Sequence, residues 1–442
     1  RNGGQRAAPG GGNAPQGQGM ATRNGQGQAA PAAGGQAEPM APQGAQAERL
    51  PAQAPAPPAD GQAPAGGQMP GGGGEMPAGG PAEAGEAPGG AMPNTGARSV
   101  AAEETAVEAK IPLLIKFNAF VSGQTYQGYS AMAIRTYDTT RDESMLQEPL
   151  TNYVFIASGL SAAQTAFAGV SVNGGDEQLY TISEILNDTY VSLHMENPGG
   201  VLYKAEVGAS LTYQGDDPSL YARSFTQQTR VNDADLGPLI DLMRFITEVD
   251  NATFERELSE HLDVDSLATY LAINNLLVNT DSLVGMSNNY YLYYDEVAER
   301  FTLLMWDGNE SLGKMARGGQ AATYDIYFSG QSGGEGRMGG GMGGGRNLLV
   351  TRFLASAQCM ALYEQKLAEV YEMAFTGGAL ADKTESYAAL VRAANASRGL
   401  VNEENYDRAV AEVLAFVEQR GDYLATTSLL GGQAAAELTA AQ

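Results

Sequence analysis

Hydrophobic and polar positions set no period before about residue 105 and a clear one after it. "VEAKIPLLIKFNAF" (107–120) and "YQGYSAMAIRTY" (126–137) are runs of branched and aromatic residues that predict strands, and "ESMLQEPLTNYVFIASGL" (143–160) predicts a helix punctuated by Pro149. "AQTAFAGVSVNGGDEQLYTISEI" alternates apolar and polar residues about Asn173-Gly174, a pair suited to the left-handed positions of a tight hairpin turn. A polar stretch follows from Gly199 to Asp235. The period then turns helical in "LGPLIDLMRFITEV" and in "DVDSLATYLAINNLLVN", where Leu267, Tyr270, Leu271, Leu277 and Val278 recur at helical spacing. A second hairpin is predicted from "NNYYLYYD", a turn "EVAE" and "RFTLLMWD". Helices are expected from Asn347 to about Leu430. Strands first and helices after predict an α+β fold, not an alternating parallel sheet.

Composition explains the silent start. Of the 20 prolines, 15 precede residue 101, and that stretch has no aromatic residue, Ile, Lys or Cys. Ordering such a segment costs roughly 1–2 kcal/mol per residue with no apolar surface to offset it. Residues 1–104 are therefore expected to be a low-complexity disordered tail, 105–430 the folded domain with a flexible glycine-rich insert at 329–346, and 431–442 a C-terminal tail. The formal net charge of −25 disfavours nucleic acid as a partner, because phosphate backbones demand clustered Lys and Arg. No apolar run reaches the ~20 residues of a transmembrane segment. The chain opens on Arg1 and not Met, so a missing leader or anchor says little about export. One cysteine, Cys359, excludes an internal disulfide, and His194 and His261 lack the companions of a usual zinc site.

Candidate chemistry concentrates in "NTDSLVGMSNNYYLYYDEVAERFTLLMWDGNESLG", Asn279 to Gly313. An apolar helix delivers Asp281 into a loop, Asn289 follows eight positions later, and the hairpin returns the chain to Asp307. Phosphoryl transfer needs such a set: one carboxylate to orient and deprotonate the attacking hydroxyl, and an amide oxygen and a second carboxylate to hold magnesium on the phosphates. Taken singly, Asp281 would cap a turn, Asn289 would be a turn residue and Asp307 would close the hairpin with Gly308. His194, His261 and Cys359 read as structural. Gly334, Gly336 and Gly339 spell G-x-G-x-x-G, but no strand precedes them, so they read as part of the insert.

With "AKIPLLIKFNAF", "QTYQGYSAMAIRTYDTTRDESML", "SVNGGDEQLYTISEI", "GGVLYKAE", "HLDVDSLATYLAINNLLVNTDS", "NNYYLYYD" and "LLMWDGNESLG", the chain resembles the spore coat protein H (CotH) kinase family. The resemblance implies a two-lobed, atypical protein-kinase-like fold, with a strand-rich N-lobe at about 105–203, complete or short of strands, and a helical C-lobe at about 204–430. It implies an enzyme using ATP with Mg²⁺ or Mn²⁺. Asp281 then corresponds to the catalytic base, Asn289 and Asp307 to the metal ligands, and Lys110 to a lysine at the nucleotide phosphates with Glu184 as its ion-pair partner. Tyr203, and less directly Trp306, would stack on adenine.

The sequence also departs from that family's pattern. Its usual N-terminal strands, with an Arg-Gly-Asn-Ser type motif, are replaced here by the tail; Gln147 stands where Arg is common, Asn288 where His is common, and Asn309 at a usually acidic position. Two functions stay open: transfer of phosphate to Ser or Thr of a basic protein substrate, or a non-catalytic surface protein that retains the fold. A Gly, Pro and Ala tail before a cysteine-poor domain resembles the linker of an exported bacterial protein, so an extracellular or cell-surface location is expected.

Overall fold

The computed structural model describes residues 110–136, 144–315, 321–327 and 347–432. The expected N-terminal tail, the glycine-rich insert with its G-x-G-x-x-G, and residues 433–442 of the expected C-terminal tail lie outside these residues. The described residues form an α+β arrangement of two antiparallel four-stranded sheets and a set of helices.

The first sheet has the order β1-β2-β4-β3, built from Leu113–Lys116, Ala131–Arg135, Gln178–Ser183 and Thr165–Val170 respectively. Its β3–β4 hairpin turns where the Asn-Gly pair predicts. Asn173 and Gly174 have φ of 53° and 77°, and the Gly175 N–H closes the turn on the Val172 carbonyl at 3.0 Å. The first strand is much shorter than 107–120: Pro112 has no N–H to donate, and all four residues of β1 are exposed. Helix α1 (Gln147–Ala157) follows β2, with Pro149 in its first turn, where a missing N–H costs no helical bond.

The second sheet runs β6-β5-β7-β8, from Phe225–Gln227, Val201–Ala205, Tyr290–Asp295 and Arg300–Met305. Two of these strands, β5 and β6, lie in the stretch from Gly199 to Asp235 that reads as polar. β5 sits between β6 and β7 with four of its five residues buried. Gly200 lets it enter, since a Cβ there would lie 2.1 Å from the Tyr294 carbonyl oxygen. The expected lobe boundary at 203/204 therefore falls inside a central strand. The β7–β8 hairpin has its predicted four-residue turn, with Asp295 paired to Arg300 and the Asp295 carboxylate accepting from the N–H groups of Val297 (2.8 Å) and Ala298 (3.1 Å).

Helices α2 (Asp188–His194), α3 (Gly237–Glu248), α4 (Asn251–His261), α5 (Val264–Leu276), α6 (Leu348–Ala355), α7 (Ala357–Tyr371), α8 (Ala379–Arg398) and α9 (Glu403–Ala425) complete the described fold. Helix α5 is its axis, because every residue from Leu267 to Leu276 is buried. A smaller cluster of Leu186, Tyr190 and Val191 against Leu202, Tyr291 and Leu304 packs α2 onto the second sheet. Among the described residues no helix is long and apolar enough to cross a membrane. Cys359 is buried near the start of α7, and His261 packs against Phe245 at 4.0 Å between ring centroids.

Asn187 caps α2, its side-chain oxygen accepting from Thr189 N–H at 2.9 Å and Tyr190 N–H at 3.2 Å. Asn187→Ala should therefore lower unfolding stability by about 1 kcal/mol, and Asn187→Asp should keep most of it, as read by urea titration.

Candidate functional site

Helix α5 ends by turning sharply. Val278 N–H bonds the Asn275 carbonyl at 3.0 Å and Asn279 N–H the Asn274 carbonyl at 2.8 Å, a Schellman pair. The left-handed residue of that pair is Val278, with φ of 50°, a conformation a β-branched side chain resists. This turn aims the chain at Asp281. Gly285 is required next, since a Cβ there would lie 1.8 Å from the Thr280 carbonyl oxygen.

Asp281 and Asn289 meet. Asn289 Nδ2 donates to Asp281 Oδ2 at 2.9 Å and to its backbone carbonyl at 3.0 Å, and Asn288 Nδ2 donates to Asp281 Oδ1 at 3.2 Å. Both carboxylate oxygens are thus oriented by amides. Asn289 lies opposite the end of β8, its carbonyl accepting from Trp306 N–H at 3.2 Å, so Asp307 comes to the same end of the hairpin. Asp307 is itself left-handed, with φ of 57°. Burial pushes its carboxyl above the ordinary Asp range; the Asp281 charge adds to this, while Arg135 and Lys204 oppose it. Asp281, Asn289 and Asp307 therefore share one neighbourhood.

Lys110 and Glu184 are not paired with each other. Lys110 Nζ donates to the Leu179 carbonyl at 3.1 Å. Glu184, 6% exposed, is held by His194 Nε2 at 3.0 and 3.1 Å and by Gln164 N–H at 2.8 Å. A cation that bonds the acidic site directly is Arg135, at the end of β2. It pairs with buried Glu148 of α1 at 2.7 Å and also bonds Asp307. Sequence reasoning missed Arg135, Glu148 and Lys204. The available signal was a charged residue ending an apolar strand, "AMAIR", followed by Glu148 in the first turn of a helix whose next residues are buried.

Neither expected adenine platform offers an open ring. Tyr203 is fully buried and donates its hydroxyl to the Asp235 carbonyl at 2.6 Å, so its position in the core replaces the stacking expectation. Trp306 is partly exposed but carries the Arg135 guanidinium 5.3 Å from its ring centroid and the edge of Tyr291 at 6.0 Å.

The donor set fits a hard divalent cation of the magnesium type. Such ions take one or two carboxylates and fill their remaining positions with water and phosphate oxygens. Asp307 and the Asn289 amide supply oxygen donors, and among the described residues no cluster of three or more His, Cys, Asp or Glu forms an all-protein cage. Burial of Asp307 beside Asp281 leaves negative charge that such an ion would neutralise.

Residues 105–424 match the model of the CotH kinase protein family. The chain is also similar to the inner spore coat protein H of Bacillus subtilis (strain 168), 23% identical over 262 residues that cover 58% of this chain and 67% of the relative.

The Glu184 environment gives a pH test. Burial raises its pKa, but the hydrogen bonds from His194, Gln164 N–H and Tyr129 outweigh this and hold it below the usual 4.5. A lowered carboxyl stabilises the fold above its unfolded value, and that gain is lost as pH falls through the folded value. Glu184→Gln should cost about 1–3 kcal/mol at neutral pH, the cost of breaking a buried hydrogen-bond set. The gap between parent and variant should narrow as pH falls below 4.5, measured by thermal unfolding across pH.

Proposed function

The chain belongs to the CotH kinase protein family, and on that footing we propose that it is a metal-dependent protein kinase transferring the γ-phosphoryl group of ATP to Ser or Thr hydroxyls of a protein partner. The observation that carries this reading is the meeting of Asp281 with Asn289 beside Asp307. Asp281, oriented by two amides, lines up the acceptor hydroxyl and takes its proton as the oxygen attacks the γ-phosphorus and the bond to the bridging β–γ oxygen breaks, leaving ADP. Asn289 and Asp307 hold the ion. Bound Mg²⁺ or Mn²⁺ supplies charge neutralisation on the phosphates. Arg135, fixed by Glu148, takes the phosphate-positioning task expected of Lys110, because it bonds Asp307 directly.

The same reading supports a two-lobed, kinase-like division. The first sheet with α1 forms the smaller lobe. The larger lobe begins at β5 and not within it, because β5 pairs with β6 and β7. An acceptor protein of basic character suits a chain of net charge −25. A surface location is favoured by the low-complexity composition before residue 105 and by the spore coat relative.

One observation favours the non-catalytic alternative: Arg135 already occupies Asp307. Titration decides between them. Mg-ATP should raise the parent's thermal midpoint, Asp307→Ala should abolish that rise, and Asp281→Asn should keep it while transfer falls by roughly 10²–10⁴, the usual worth of a positioned base. A parent that binds Mg-ATP and transfers nothing would establish the non-catalytic reading.

A further inference from the structure

Arg420 of α9 is among the largest fully buried side chains of the described residues, and no carboxylate among those residues forms a salt bridge with it. Its guanidinium is spent on carbonyl and amide oxygens from two places. Nε donates to the Leu276 carbonyl at 3.2 Å, and Nη2 to the Asn275 carbonyl at 3.1 Å and side-chain oxygen at 3.2 Å. Nη1 donates to the carbonyls of Ala322 at 3.0 Å and Tyr324 at 2.6 Å. The first group is the last turn of α5, directly before the strained Val278 and the Asp281 loop. The second belongs to 321–327, downstream of Asp307. Burial pushes the Arg420 pKa down to about 10, which leaves it charged at neutral pH.

Other side chains hold the 321–327 stretch in the same manner. Asn275 Nδ2 donates to the Asp325 carbonyl at 3.0 Å and the Tyr363 hydroxyl to the Ile326 carbonyl at 2.5 Å. Between Asp307 and this stretch, Gly313 N–H bonds the Leu277 carbonyl at 3.3 Å, and a Cβ on Gly313 would meet Ala321 Cβ at 2.5 Å and Phe416 Cε2, one helical turn before Arg420, at 2.6 Å. The chain on both sides of the acidic site is therefore tied to one buried cation.

We propose that Arg420 is a positioning residue that locks the end of α5, and with it the Asp281 loop, to the 321–327 stretch that follows Asp307. Favourable charge at a helix C-terminus and a planar fork of donors both suit the task. A lysine keeps the charge and loses the fork, because one ammonium cannot span carbonyls on two chain segments in the same geometry. Its catalytic consequence rests on the kinase reading; its structural consequence does not.

The test compares Arg420→Lys with Arg352→Lys in the full chain. Arg352, a partly buried arginine, is the control: it too donates to helix-end carbonyls, those of Ile246 (2.6 Å) and Val249 (2.8 Å) at the end of α3. Arg420→Lys should speed amide hydrogen exchange in 277–289 and in 321–327 together, by about tenfold or more, while Arg352→Lys speeds neither. If Arg420→Lys fails to fold, Asn275→Ala, which removes one acceptor and the Asp325 bond, should give the same paired effect at smaller size. Exchange rising in only one stretch, in neither, or equally in the Arg352 control overturns the proposal whether or not the protein is a kinase. Where the parent transfers phosphate, Arg420→Lys should lower kcat by about tenfold or more with KM for ATP and the Mg-ATP thermal shift changed by no more than about twofold, a misplacement effect. A kcat equal to the parent's would remove the catalytic consequence, and absence of transfer in the parent would fault the kinase reading alone.

Discussion

A helix end buried on every side has no water for its terminal carbonyls, and α5 from Leu267 onward ends in this way. Its end is satisfied group by group. Ile273 O accepts from Leu277 N–H, Asn274 O from Asn279 N–H, Asn275 O from Val278 N–H and Arg420, Leu276 O from Arg420, and Leu277 O from Gly313 N–H. Each partner brings a different part of the chain to one point. The Schellman turn supplies the Asp281 loop, Gly313 supplies the segment after Asp307, and Arg420 supplies α9. The demand for hydrogen bonds at one buried helix end thus organises the surroundings of the candidate site.

Charge sets the second condition. Burial, and after it the Asp281 charge, disfavours ionisation of Asp307, in a chain already at −25. The sheet answers with Arg135, whose guanidinium is clamped by a carboxylate, Glu148, that is 1% exposed, and stacked over Trp306. Removing either partner would strand the other charge in a poorly solvated place, which is why a buried pair resists single substitutions. A divalent cation would shift this balance. On the proposed kinase reading it would compete with Arg135 for Asp307 and leave the guanidinium for phosphate oxygens.

What the sequence made legible follows from which interactions leave a residue signature. The Asn173-Gly174 turn and the β7–β8 hairpin were readable because left-handed turn residues and strand composition are local properties. The convergence of Asp281, Asn289 and Asp307 was readable from a helix, a loop and a hairpin in succession. Strands β5 and β6 were not, because β5 has five residues and becomes a strand through partners in β6 and in β7, almost ninety residues later. Arg135 was not legible for the same reason: like Lys110 it is a cation on or beside an apolar strand, and only the fold shows that Arg135 bonds Glu148 and Asp307 while Lys110 Nζ donates to the Leu179 carbonyl. Tyr203 carries the same ambiguity, since an aromatic ring on a strand reads alike whether its face is open or, as here, in the core.

Arg420 is the extreme of this limit, because backbone carbonyls accept hydrogen bonds whatever side chain they carry. Nothing in "QRGDYLA" announces that its arginine will meet Asn275, Leu276, Ala322 and Tyr324. The requirement is nonetheless strict: Val278 holds a left-handed backbone that costs of order 1–3 kcal/mol, and such strain persists only where the surroundings over-determine it. The CotH family match runs to residue 424, four residues beyond Arg420. The last long helix therefore belongs to the same unit as the site, and the geometry gives a reason: without α9 the end of α5 would keep its strained turn and lose the cation that satisfies it.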